Sequence, residues 1–132
     1  MNVVTPIGKF YQYEEKYAKQ TFLRQPYQGQ WHHYTWKETG NQVRRMASAL
    51  KAMDLEPNSK VAIISKNCAH WIMADLAIMM AGHVSVPLYP TIPADMITYI
   101  LEHSEAKVLF VGKLDNWEPQ RPGVPDLSLI HI

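Results

Sequence analysis

"KVAIISKNCAHWIMADLAIMMAGHVSVPL", Lys60–Leu88, alternates two textures, and that alternation decides the fold. "VAIIS" and "VSVPL" are short continuous apolar runs, the pattern of strands covered on both faces. The helix-length segment between them opens near Asn67, a suitable N-cap, and closes at Gly82, where a left-handed residue can end it. Downstream, "ADMITYILEHS" sets Met96, Tyr99, Ile100 and His103 on adjacent helical turns with Pro93 in the first turn, and "VLFV" at 108–111 is a third apolar run. Strand, helix, strand, helix, strand implies parallel strands joined by right-handed crossovers. The fold class is therefore α/β, a partial doubly wound parallel sheet of βαβαβ order. Ligands in such sheets sit beyond the carboxyl ends of the strands, here Ser65 to Asn67, Tyr89 to Thr91 and Gly112 to Lys113. Pro87 and Pro90 are expected to stop the middle strand and stiffen its exit, because proline fixes its own φ and disfavours helix in the residue before it.

Upstream of the strands the periodicity changes. Phe10, Tyr13, Glu14 and Tyr17 recur at helical spacing between Pro6 and Ala18, predicting a short amphipathic helix. "TFLRQPYQGQWHHYT" alternates on both sides of Gln28 and Gly29 and predicts a β-hairpin, with Pro26 at an edge position. Adjacent His32 and His33 then point to opposite faces and cannot share a metal. Thr35 and Glu38 have capping-box spacing. The helix behind them carries Val43, Met46, Ala47, Leu50 and Met53 as one apolar stripe, with Arg44, Arg45 and Lys51 as a solvated face rather than an anion site.

Composition narrows the function classes. Thirteen Lys and Arg against 12 Asp and Glu give a formal charge of +1, scattered along the chain, so nucleic acid is not an expected partner. At 132 residues and 47% hydrophobic content the chain is one domain or a piece of a larger one. The segment from Trp71 to Gly82, interrupted by Asp75, is shorter than the ~20 apolar residues a transmembrane helix needs. With one cysteine, Cys68, and no secretion-signal pattern at the start, the chain reads as cytosolic.

Chemistry-bearing motifs are sparse. The chain contains no GxGxxG, no GxxxxGK[ST], no GxSxG and no HExxH, and its six histidines have no metal-ligand spacing. Cys68 near a helix N-terminus is read as a small buried hydrophobe rather than a reactive thiolate. Trp71, Met73, Met79 and Met80 are read as core rather than as an apolar channel. His70 and Asp75, five positions apart, do not form a facing pair on a helix. No catalytic, cofactor-binding or metal-ligating residue is assigned.

Three segments, "YTWKETG" (34–40), "KVAIISKNCAHWIMADLAIMMAG" (60–82) and "VSVPLYPT" (84–91), together resemble the AMP-forming acyl-CoA synthetases of the adenylate-forming superfamily. Thr35, Trp36 and Glu38 are similar to that family's first core motif, and Ala81, Gly82, Val86, Pro87 and Leu88 to its second. "PLYPT" and "ILEHSEAKVLFV" look most like the long-chain fatty acyl branch. Asp54 and Asn58 stand where the family often has glycine, and both residue types tolerate the left-handed conformation.

The resemblance implies a full-length ligase using ATP, magnesium and coenzyme A to convert a fatty acid, through an acyl adenylate, to its thioester. It also implies that the phosphate loop, the magnesium and ribose ligands and the catalytic lysine lie in later parts of such a chain, so none is carried over to residues here. Residues 1–126 are expected to be the N-terminal portion of the adenylate-forming domain, its partner the remainder of the synthetase chain. The segment from Leu127 to Ile132 is expected to be a truncation or a read-through artefact, "LSLIHI" resembling a translated library adapter, with a natural terminus as the other reading. The piece alone is expected to be inactive and to bind no cofactor. A non-catalytic interaction module derived from a truncated paralogue is the alternative, and a flavodoxin-type mononucleotide domain is a third. Peripheral contact of the full-length enzyme with a membrane is left open.

Overall fold

The computed structural model describes residues 3–132. Helix α1, Pro6–Lys16, is capped by Thr5, whose hydroxyl accepts from the Gly8 N–H at 3.1 Å, and it buries Phe10. Strands β1 (Thr21–Tyr27) and β2 (Gln30–Thr35) pair antiparallel around Gln28 and Gly29. Both turn residues have positive φ, 50° and 76°, which matches the right-handed twist of the flanking strands. Helix α2, Trp36–Ala52, starts from the complete capping box: the Thr35 hydroxyl accepts from Glu38 N–H at 3.1 Å, and the Glu38 carboxylate accepts from Thr35 N–H at 2.8 Å. An aromatic cluster joins these elements, with Phe22 stacked on Trp36 at 3.9 Å and Phe10 against both rings.

The second half is the expected sheet. Strands β3 (Lys60–Ile64), β4 (Val84–Leu88), β5 (Val108–Val111) and β6 (Ser128–His131) are all parallel in the order β4-β3-β5-β6. Helix α3, Ala69–Met80, covers one face and α4, Ala94–His103, the other. Alternation along β3 and β5 makes this possible. Val61, Ile63, Val108 and Phe110 meet Ala74 and Ile78 of α3, whereas Ala62, Ile64, Leu109 and Val111 meet Ile97 and Leu101 of α4. A third layer forms where Val43 and Ala47 of α2 pack on Ala69, Met73 and Ala77.

Several tight turns are as their residue types require. Gly82 at φ 82° ends α3, its N–H bonding Met79 O while the His83 N–H bonds Ile78 O, the paired closure of a Schellman motif. Asp54 and Asn58 are left-handed at φ 53° and 61°, as is Glu105 at 57°, which sequence reading did not single out.

Four expectations are corrected. Strand β4 is an edge strand, with Val84 44% exposed and Pro87 exposed, so only β3 and β5 are covered on both faces. Pro87 lies inside β4, paired opposite Ile63, instead of stopping it; a free edge tolerates the missing N–H. The cap of α3 is Cys68, not Asn67, and the donor of Ala69 N–H is taken by Gln25 Oε1 of the hairpin at 2.7 Å, a cap supplied from 44 residues away. On α4 the residues buried are Ile97 and Leu101; Met96 and Tyr99 face outward, with Tyr99 stacked on His103. Arg44 lies on the solvated face, as expected, and is also ion-paired with Glu14, tying α2 to α1. Residues 128–131 run as β6 beside β5.

Candidate functional site

The three loops at the carboxyl edge of the sheet differ in what they leave open. Between β3 and β5, where the winding reverses, the loops are bonded directly to each other. Gly112 N–H donates to Ile64 O at 2.9 Å, Lys66 N–H to Lys113 O at 2.7 Å, and Lys113 N–H to the Ser65 hydroxyl at 3.0 Å. That hydroxyl in turn donates to Lys66 O at 2.8 Å, and Ser65 is 2% exposed. Position 112 must be glycine for contact this close, because a Cβ there would lie 2.6 Å from Ser65 Cβ. Lys66 and Asp115 form an exposed ion pair over the seam.

This seam does not fit a phosphate group. A phosphate cradle needs several backbone N–H groups aimed into open space. Here the N–H groups of Lys66, Gly112 and Lys113 are spent on the opposite loop. At this seam the flavodoxin-type reading loses its binding crevice; among the described residues no three His, Cys, Asp or Glu side chains are grouped together.

Between β3 and β4 the edge is open. A cleft of about 300 Å³ is lined by Ser65, Asn67, Trp71, Pro87, Leu88, Tyr89 and Pro90. Its walls are mostly apolar, with one amide and no charged side chain. Tyr89 is 80% exposed at its mouth.

A larger hollow, about 580 Å³, lies between the hairpin and the start of α3 and is lined by Gln25, Tyr27, His32, Tyr34, Cys68, His70 and Lys113, among others. It brings together residues the sequence left apart, and it leaves His33 outside, as strand alternation requires. Cys68 is half-buried here rather than fully packed. Its hydrogen-bonding neighbour is Ser65 Oγ at 3.8 Å, and His70 rests edge-on against Tyr34 at 6.3 Å. The nucleophile–base contact that thiol catalysis needs is not formed. Of the residues read as core, Met73 is fully buried; Trp71 packs on the α3 face of the sheet while lining the open cleft.

Sequence reasoning missed the residues that hold the open cleft's loop. Gln120, at 8% exposure, donates through Nε2 to Pro90 O and Ile92 O, both at 2.9 Å. No local pattern marks it, since a lone glutamine in a loop has no periodic signature.

A four-stranded parallel sheet with helices on both faces defines an α/β class of fold, and solved structures share its arrangement. The crystal structure of IdnL1 superposes with a TM-score of 0.86 at 16% identity, over 100% of this chain and 26% of that one. The anthranilate CoA ligase AuaEII in complex with anthranoyl-AMP does so with a TM-score of 0.82 at 21% identity, over 96% and 24%. The chain itself belongs to the AMP-binding enzyme family, which it matches over residues 10–130.

Among its relatives, long chain acyl-CoA synthetase 1 of Arabidopsis thaliana is 40% identical over 77 residues, 58% of this chain and 12% of that protein. The long-chain-fatty-acid–CoA ligase FadD15 of Mycobacterium tuberculosis is 37% identical over 82 residues, 62% and 14%. The chain thus spans 12–14% of the length of these curated relatives. Among the described residues no helix is long and apolar enough to cross a membrane.

Proposed function

We propose that this chain is the N-terminal scaffold of an AMP-forming acyl-CoA synthetase that activates a long-chain fatty acid with ATP and magnesium and passes the acyl group to coenzyme A. The observation that carries the reading is the combination of family membership with 37–40% identity to proteins named as long-chain acyl-CoA synthetases and ligases. The closed seam between β3 and β5 supports a second part of the proposal, that residues 3–132 do none of the chemistry. Adenylate formation requires donors and cations preorganised around a phosphoryl centre, and such electrostatic stabilisation is commonly its largest catalytic term. The seam's donors are already used within the sheet.

Under this reading the segment positions the remainder of the synthetase, and the catalytic, cofactor-binding and metal-binding residues belong elsewhere. The test is fatty-acid-dependent exchange of labelled pyrophosphate into ATP. The purified 132-residue chain is expected to match a no-protein blank, and the full-length protein to exchange with long-chain acids. Exchange by the isolated chain would overturn the scaffold assignment; a full-length protein inert toward fatty acids would overturn the substrate class.

A further inference from the structure

We draw no further inference here: the strongest candidate, the hollow of about 580 Å³ between the β1–β2 hairpin and the start of α3, is an unpartnered face of a chain that spans only part of its relatives' length, and nothing in the structure shows what covers it.

Discussion

Two crevices open on the same carboxyl edge of this sheet, one on either side of β3, and they are built in opposite ways. Between β3 and β5 the loops are bonded backbone to backbone, with Ser65 buried as the shared hinge pin and glycine at 112 because nothing larger fits. Between β3 and β4 a cleft of about 300 Å³ remains, and its outer loop is held from behind by Gln120. The difference follows from where each loop finds its hydrogen-bond partners. Adjacent loops that satisfy each other close the space between them; a proline-rich loop that cannot do so is satisfied from its far side and stays clear of its neighbour.

The loop of the open cleft is most vulnerable at Gly123. A methyl group there meets the backbone of Ala94, which cannot rotate away, so Gly123→Ala is expected to cost about 3 kcal/mol in urea unfolding. A loss below about 1 kcal/mol would mean that the segment behind the open cleft slides freely and does not hold its loop. At the closed seam, Gly112→Ala meets a side chain rather than backbone and is expected to cost about 2 kcal/mol. Adding Ser65→Gly should return part of that loss, since the two substitutions share one space. Purely additive losses would show that the two positions are not in contact as described.

Away from both crevices, Thr35→Ala should cost about 1 kcal/mol through the cap of α2, measured by the same denaturation. The partner in that cap gives a pH signature. The Glu38 carboxyl is held below its usual value of 4.5, first by the Thr35 backbone N–H and then by the Thr35 side chain. A carboxyl lowered in the folded state stabilises fully above its unfolded pKa and loses that contribution as pH falls through the lowered folded value. The stability difference between wild type and Glu38→Gln is therefore expected to be flat at neutral pH and to narrow on acidification below 4.5; a difference that widens there would contradict the cap. The smallest effect is expected at Lys66→Met, within about 0.5 kcal/mol, because its pair with Asp115 is exposed. A larger loss would move the closure of the seam from the backbone to the ion pair.

Legibility in the sequence tracked the range of the interactions. Capping box, hairpin turn, left-handed Asp54 and Asn58 and the closure at Gly82 are set within a few residues, and each is where its residue types place it. The errors fell where a distant element intervened. Asn67 is a good cap in isolation, yet Gln25 reaches the first N–H of α3 from the hairpin and shifts the start to Cys68. Met96 and Tyr99 have helical spacing as regular as that of Ile97 and Leu101, and only the sheet face decides which set is buried. "VSVPL" and "VLFV" both read as short apolar runs, but one became an edge and the other part of the centre, because strand order is set by the crossovers and not by the strands.

The α/β class, the parallel strands, the family resemblance and the three loops at the carboxyl edge are legible in the residues alone, because all rest on periodicity, local backbone preference or ordered motifs. Tertiary structure alone decided which of those loops closes and which stays open. Ser65 and Lys113 are 48 positions apart and Gln120 and Pro90 are 30, and bonds over such separations exist only once the sheet has brought the strand ends together.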